Sequence, residues 1–305
     1  MSTVVDADAF RLWMAPKVVA LQSFTSAVDT VAERHDRVPS VGSRARIELD
    51  REHEYSAVST WEKPITDCHT FGAMSLRAAT DNVRGFGTLF TGGQPPLYPH
   101  LVLGRSAFEG AVVSEWLSEP SVEPLERIKR GLCEQLYSAK EVEEFNLQPG
   151  TPSRVDEWVA VARCFGWTPN LSRSRPIIDG TKRPRLSDGI VKLAGSAENS
   201  RIGDLLFSRL SAVDHVTWFG LQWAIHLDQA TTDESSRTAT VAIGADGVQV
   251  SAIGFYLVRA LRAAATARFE LMGWNDAEWQ EDARRALALE RIFAETVVGA
   301  NRRST

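Results

Sequence analysis

Apolar residues recur every three to four positions along most of this chain, which is the spacing of one face of an α-helix. The pattern is clearest over residues 7–35, 66–90 and 97–117. Pro16 interrupts the first stretch, and a Thr-Gly-Gly-Gln-Pro-Pro run ends the second as a strong helix stop. We therefore expect long amphipathic helices in the first third of the chain, with Thr66 capping the second of them.

The rest of the chain repeats this helical period with one exception. Further helices are predicted after Pro124 and over residues 152–165, 199–228, 251–272 and 276–297. The stretch 238–250 instead alternates β-formers around Asp246-Gly247, which is a signal for a hairpin turn. The fold class is therefore all-α: an up-and-down helical bundle of about eight or nine helices with one small β-hairpin insertion at 238–250.

Two polar stretches suggest how the chain is divided. Residues 36–64 are charged and interrupted by prolines, so 1–64 is interpreted as an N-terminal helix and linker, and 65–305 as the main helical domain. Residues 166–189 are rich in Pro and Gly and are predicted to be a loop. This loop and its flanks are the most basic part of the chain, with Arg163, Arg173, Arg175, Lys182, Arg183 and Arg185 against only Asp179 and Asp188. It is interpreted as a solvated loop or, alternatively, as a contact for nucleic-acid phosphates.

Composition sets the broad class of the protein. Hydrophobic content of 44% and charged content of 24% are ordinary for a globular chain, and the net charge of -5 argues against strong non-specific binding of polyanions. The odd set Cys68, Cys133 and Cys164 has no C-x-x-C spacing, which favours reduced thiols and a cytoplasmic protein. The notable apolar runs fall short of the roughly 20 residues that span a bilayer, so no membrane association is expected.

The polar residues of helix 199–228 form the main candidate site. Asp204, Ser208, Ser211 and His215 follow 4-3-4 spacing, so they share one stripe of a helix. Small hydroxyls and an imidazole in place of Lys and Glu indicate a half-buried polar seam. An imidazole can move a proton near neutral pH, and the adjacent Arg209 can hold a phosphate. The alternative is that His215 is a packing residue bonded within the seam.

Arg209 followed by His215 resembles the R-x(4–6)-H motif of HEPN-domain ribonucleases, with Leu210 where the motif often has a polar residue. The surrounding Phe-x-x-Leu-Ser-x-x-x-His string is similar to uncharacterised bacterial all-helical proteins, loosely from about residue 66 to 295. The resemblance implies a compact helical bundle that dimerises and acts on RNA in bacterial conflict or defence. It implies Arg209 and His215 as catalytic residues, supported by Ser208, Ser211 and Asp204. On an ideal helix Arg209 and His215 point roughly 120° apart, so they would converge at a bent helix start or across a homodimer.

A second polar group lies on the predicted helix 97–117. Arg105 and Glu109 are spaced i, i+4, and Arg127 on the following helix is placed to join them. The two arginines would bind an anion, or the three residues would lock two helices together as a buried ion-pair network.

No metal or cofactor is expected. Cys68-His69 and His100 lack the spacing of a metal site, and the sequence holds no G-x-G-x-x-G, P-loop or G-x-S-x-G motif. Two functions therefore stay open. The first is a HEPN-like, metal-independent ribonuclease, or an RNA-binding relative that has lost cleavage. The second is a non-catalytic helical module that binds or regulates a partner protein.

Overall fold

The architecture is mainly helical with small antiparallel β insertions, which confirms the predicted fold class. The computed structural model describes residues 7–92, 98–145, 153–172, 175–194, 204, 206–208, 210–212, 230–233, 238–241, 247–274, 281, 284–285, 288–289 and 292. The helices are α1 (Ala7–Arg34), α2 (Arg44–Asp50), α3 (Glu52–Ser56), α4 (Pro64–Thr88), α5 (Pro99–Ser118), α6 (Pro124–Phe145), α7 (Arg154–Cys164), α8 (Leu186–Ala194) and α9 (Gly247–Met272). The strands are β1 (Pro169–Asn170), β2 (Ile177–Ile178), β3 (Thr181–Lys182), β4 (Ala230–Asp233) and β5 (Thr238–Val241).

Local sequence signals, such as a proline or a capping serine, determine where several helices begin. Helices α4, α5 and α6 each begin at a proline, whose missing N–H is not needed in the first turn. Ser153 caps α7, because its hydroxyl accepts a hydrogen bond from the Asp156 backbone N–H at 3.0 Å. The first helix runs through Pro16 rather than breaking there, since its buried face continues on both sides of the proline.

The cap of α4 differs from the sequence prediction. The helix begins at Pro64, and Thr66 lies in its first turn instead of preceding it. The Thr66 N–H and hydroxyl donate to the two carboxylate oxygens of Glu52 at 2.8 and 2.6 Å. A carboxylate from α3 therefore satisfies the N-terminus of α4, where negative charge is favoured.

The centre of the molecule is an antiparallel pair of helices, α4 and α5, covered by α9 and α1. Gly110 lets α5 approach α4 closely, because a Cβ at this position would come within 2.7 Å of the Ser75 carbonyl oxygen. Buried residues of α1, α4, α5, α8 and α9, with Leu206 and Leu210, form the first hydrophobic core. The second core lies around α6 and α7 and includes Ile65 and Ile178.

The stretch 166–189, which was predicted to be a loop, carries regular structure. Strands β1, β2 and β3 form a small antiparallel sheet with Ile178 paired to Pro169 and to Thr181, and α8 begins at Leu186. Ile178 is fully buried in the second core, and the Thr181 hydroxyl donates to Glu126 of α6 at 2.8 Å. The prediction missed the strands because they are two residues long and lie between prolines and glycines, which are typical of loops.

The predicted hairpin at 238–250 is wrong in its position. Strand β5 pairs with β4, which precedes it, in the register Ala230↔Val241 to Asp233↔Thr238. Gly247 begins α9, so Asp246-Gly247 is not the turn of this hairpin. The alternating residues 238–241 do form a strand, but Val248 and Val250 lie in α9, where Val250 is buried.

Residues 36–64 are more than a surface connection. Glu48 of α2 and Trp61 are buried, and the segment is tied to the end of α9. The Ser40 N–H donates to the Met272 carbonyl at 2.9 Å, and the Trp274 indole N–H donates to the Val38 carbonyl at 2.8 Å. The charged sequence of residues 36–64 did not predict these contacts, because the residues they join lie more than two hundred positions apart in the chain.

Among the residues that the structure describes, one helix is long and apolar enough to span a membrane, which the sequence pattern did not predict. Residues Val250–Met272 of α9 have a mean hydropathy of 1.2, and more than half of this stretch is buried inside the molecule. A central core helix has the same features, so the finding is weak evidence for a membrane.

Candidate functional site

The helix that carries the R-x(4–6)-H motif is described only in part. Its described residues, 204, 206–208 and 210–212, are helical, whereas Arg209 and His215 lie outside the described residues. Leu206 and Leu210 are buried in the first core, which fixes the direction of the helix face. Asp204 and Ser208 are exposed and Ser211 is half-buried. Among the described residues of the expected seam, Ser211 is half-buried, and the Asp204–Ser208 side is open to solvent.

Helix α5 brings a cation to this segment. Arg105 lies one helix away and its Nη1 donates to Ser211 Oγ at 3.4 Å. The contact joins two candidates that the sequence placed in separate groups. It places a guanidinium beside the helical segment that includes Leu210 and Ser211, at the edge between its buried and exposed sides.

Glu109 does not join Arg105 and Arg127 in the predicted network. It accepts a hydrogen bond at 3.1 Å from Arg183 Nη2, and Arg183 Nε donates to Glu134 Oε1 at 2.8 Å. The Arg183 guanidinium also lies 4.3 Å from the centre of the Tyr137 ring. This cluster holds the end of the small sheet against α5 and α6, and sequence spacing gave no sign of it because its members are 49 and 74 residues apart.

Burial governs protonation in the Arg183 cluster. The pKa of Glu134 is raised because burial of its carboxyl outweighs the attraction of Arg183, with Glu109 and Glu141 adding to the rise. The pKa of Arg183 is raised, since Glu134 and Glu109 overcome the effect of its own burial. Glu134 thus keeps its proton to a higher pH than an ordinary glutamate, whereas Arg183 stays charged.

Arg127 lies apart from Arg105, in a fully buried ion pair with Glu48. Its Nε donates to Glu48 Oε2 at 2.8 Å and its Nη2 to Glu48 Oε1 at 3.3 Å. The remaining donors bind the carbonyls of Leu117, Glu119 and Val122, at and beyond the end of α5. Arg127 therefore caps the C-terminus of α5, and its hydrogen-bonding capacity is already used.

Glu48 is the buried ion-pair partner of Arg127, and the sequence pattern did not single it out. Although burial raises the pKa of its carboxyl, the His69 ring 3.2 Å away and the hydrogen bonds and charge of Arg127 outweigh this and lower the pKa. The pKa of His69 is lowered to about 4, first because the ring is buried and then because Arg268 and Arg127 are near. The signal that would have found Glu48 is its i, i+4 partner Arg44, which donates to it at 3.1 Å.

The side chains of Cys68, His69 and His100 do not come together in one site. The Cys68 thiol donates to the Arg127 carbonyl at 3.4 Å, and burial raises its pKa, so it is not a reactive thiolate. His100 packs instead against Phe90, with ring centres 5.8 Å apart. Within the described ranges, no group of three His, Cys, Asp or Glu side chains is placed to hold a metal ion.

The basic stretch carries exposed cationic side chains, and an aromatic pair lies at its start. Lys182 and Arg185 are exposed on the folded sheet region. Nearby, Trp167 stacks on Phe165 with ring centres 4.6 Å apart, and Lys129 Nζ lies 5.1 Å from the centre of the Trp167 ring. Strands β1, β2 and β3 give this stretch regular backbone structure, in contrast to the solvated loop expected from the sequence.

No family model, curated protein or solved structure matches this chain. The functional case therefore depends on the residues and contacts of the chain itself. The described part supplies a helix with one buried and one solvent-facing side, and a guanidinium from α5 held at its edge.

Proposed function

We propose that this protein binds RNA and cleaves it without a metal ion, with Arg209 and His215 as the reacting residues. The observation that carries the proposal is the contact between Arg105 and Ser211, beside a helix whose Asp204–Ser208 side faces solvent. An RNA strand lying on that side would meet a cation at the helix edge. The R-x(4–6)-H motif supplies the arginine and histidine on the same stretch of sequence.

The chemistry needs only these groups. The imidazole of His215 takes the proton of a ribose 2′-hydroxyl, and the 2′-oxygen attacks the adjacent phosphorus. The P–O5′ bond breaks, the imidazolium of His215 gives that proton to the leaving 5′-oxygen, and a 2′,3′-cyclic phosphate forms. Arg209 stabilises the charge that develops on the phosphate oxygens, and Arg105 positions the strand.

The proposal includes a homodimer. An arginine and a histidine six residues apart point roughly 120° apart on an ideal helix, so a second copy is the simplest way to bring one of each together. Trp218, Phe219 and Trp223 follow His215 in the sequence and supply apolar side chains in excess of one helix face. A cytoplasmic location fits this activity and the three cysteines, which are all free thiols.

The test is cleavage of end-labelled RNA by purified protein in the presence of a chelator. We expect wild type to give products with 2′,3′-cyclic phosphate ends, and His215→Ala and Arg209→Ala to lose at least about a hundredfold in rate. The exposed residues His53 and Arg46 provide matched controls, and His53→Ala and Arg46→Ala should keep wild-type activity. Loss of the same activity in the control variants, or an inactive wild type, would contradict the catalytic proposal.

A relative that binds RNA without cleaving it gives a different result in the same samples. Leu210 stands where nuclease motifs often have a polar residue, which favours this reading. In that case Arg209→Ala and Arg105→Ala weaken RNA binding in a filter assay, while no variant and no wild type produces cyclic phosphate ends.

A second candidate function is a non-catalytic module that binds a partner protein. The observation that favours it is the outer face of α1, where Leu12 and Val19 lie two turns apart and are 75% and 61% exposed. Replacing both with glutamate should abolish capture of a partner by this face and leave RNA cleavage unchanged. Abolished cleavage in the double variant would tie this face to the RNA site instead.

A further inference from the structure

The outer face of α1 carries an apolar stripe that the molecule leaves uncovered. Leu12 and Val19 lie two turns apart and are 75% and 61% exposed. Every exposed position between residues 12 and 26 is uncharged: Leu12, Ala15, Pro16, Val19, Gln22, Ser23 and Ser26. The solvent-facing side of a helix normally carries charged side chains. This stripe therefore has the composition of a surface that is covered in an assembly.

A groove runs between α4 and α5, on the side of α4 that faces away from α1. Its volume is about 460 Å³. It is lined by Asp81, Arg84, Gly85, Thr88, Leu89 and Leu103. Gly85 deepens the groove because this position has no side chain, and a Cβ there would lie 3.4 Å from Leu103 Cδ1. With Leu89 and Leu103 as apolar walls, the groove suits an apolar side chain of a partner helix.

The stripe and the groove lie at the same height along α4. Val18, which precedes Val19, comes within 4.0 Å of the place that a Cβ on Gly87 would take. Gly87 lies between two residues of the groove, Gly85 and Leu89. A two-fold axis parallel to α4 keeps heights unchanged and exchanges the two sides of this helix. Such an axis brings the stripe of each copy onto the groove of the other.

The charges between the stripe and the groove suit this pairing. Asp29 of α1 pairs with Arg77 and Arg84 at 2.8 and 2.5 Å, so α1 and the exposed side of α4 share one outer face. Both arginines also pair with Asp81. The two arginines and two aspartates sum to zero charge, and the signs alternate along α4. Two copies that face each other here therefore meet no net repulsion, and each arginine lies within about one turn of a carboxylate of the other copy.

The layer formed by α1, α4 and α5 has the size of a stable interface. Helices α4 and α5 contain 25 and 20 residues, which gives a common length of roughly 30 Å. Three helices at the usual spacing are roughly 25 Å wide. The layer therefore offers roughly 750 Å², close to the ~800 Å² that each partner buries in a stable complex.

We propose that this layer is an interface between two copies of the chain, with Val19 of each copy in the α4–α5 groove of the other. Leu12 continues the contact towards the end of α4 at Leu89. The inference builds on the second candidate function, since it names a second copy as the partner of the α1 face. It does not depend on RNA cleavage, and it differs from the dimer that brings Arg209 and His215 together.

Sedimentation equilibrium of the full chain measures the contact. We expect Val19→Glu to halve the mass of the wild-type assembly and to raise its dissociation constant at least about a hundredfold, because the contact would bury a carboxylate in an apolar groove. The matched control Val142→Glu changes another exposed valine, on α6, and should keep the wild-type mass. A monomeric wild type, or equal masses of wild type and Val19→Glu, would overturn the proposal.

A cross-link between the two copies identifies the faces directly. Two differently tagged chains, one with Val19→Cys and one with Thr88→Cys, are co-expressed, each with Cys164→Ser to remove the exposed thiol. A short bis-maleimide should join them into a product that carries both tags, whereas Val142→Cys with Thr88→Cys should give none. A dimer joined through any other face gives no such product, and that result overturns the α1–α4–α5 contact. Capture of a different protein by the α1 face is a separate measurement, so the second candidate function stands or fails independently.

Discussion

At the scale of single residues, the interior of this protein is organised around buried arginines. Arg127 receives a carboxylate and three backbone carbonyls, so its charge and all its donors are accommodated. Arg183 lies between the carboxylates of Glu134 and Glu109, and burial raises the pKa of Glu134. Arg268 has neither arrangement among the described residues. The fully buried Arg127 thus caps a helix, and the half-buried Arg183 links two helices to the small sheet.

The Arg127–Glu48 pair gives a prediction for stability. Arg127→Met removes the buried cation that binds both Glu48 oxygens, leaves Glu48 with Arg44 as its remaining arginine partner, and strips the carbonyls at the end of α5 of their donor, so we expect the free energy of unfolding to fall by about 3–5 kcal/mol. Urea denaturation measures the change. Arg46→Met breaks an exposed pair with Asp50 and should cost less than about 1 kcal/mol. Equal losses in the two variants would show that burial of the Arg127 pair has no energetic consequence.

At the scale of elements, local sequence signals predicted where helices begin. Long-range contacts determined which strands pair and how the elements pack. Pro124 and Ser153 act within one turn of their own helix, so their roles were readable from the sequence. Strand β5 could also be predicted from the sequence, but its partner β4 could not. Alternation of apolar and polar residues identifies a strand but does not show which strand pairs with it. The direction of the candidate helix followed the predicted period, since Leu206 and Leu210 are both buried.

The close packing of α4 and α5 can be tested at one glycine. Gly110→Ala places a methyl group 2.7 Å from the Ser75 carbonyl oxygen, so the helices must separate. We expect a loss of about 1–3 kcal/mol in the free energy of unfolding, in spite of the higher helix propensity of alanine. Gly92→Ala is the control, because a Cβ there meets nothing within 4 Å. A thermally unchanged Gly110→Ala variant would contradict the observed helix contact.

At the scale of the whole molecule, two hydrophobic cores meet along α4. Its first turns carry Ile65 and Cys68 into the second core, and its later turns carry Val83 and Phe86 into the first. The Glu48–His69–Arg127 group lies near this meeting point. No sequence period predicts it, because its members come from three helices and each partner is chosen by the tertiary fold. The same holds for the contact between Arg105 and Ser211, which joins residues 106 positions apart.

Acid should destabilise the whole molecule through His69. The unfolded chain takes up a proton near pH 6.5, whereas burial lowers the folded pKa of His69 to about 4. The stabilisation is therefore complete above about pH 6.5 and is lost as the pH falls towards 4. We expect wild type to lose on the order of 2–3 kcal/mol over that window by urea unfolding. The difference between wild type and His69→Gln isolates this residue, and parallel pH profiles of the two proteins would contradict it.

The buried pair of Arg127 and Glu48 also restricts how this sequence can change over generations. A single substitution that removes either charge passes through a protein whose interior ion pair is broken. Drift at the two positions is therefore coupled, and a lineage that lost the arginine would be expected to have lost the glutamate with it. A position in the short helix α2 and a position near the start of α6 are thereby inherited as one unit.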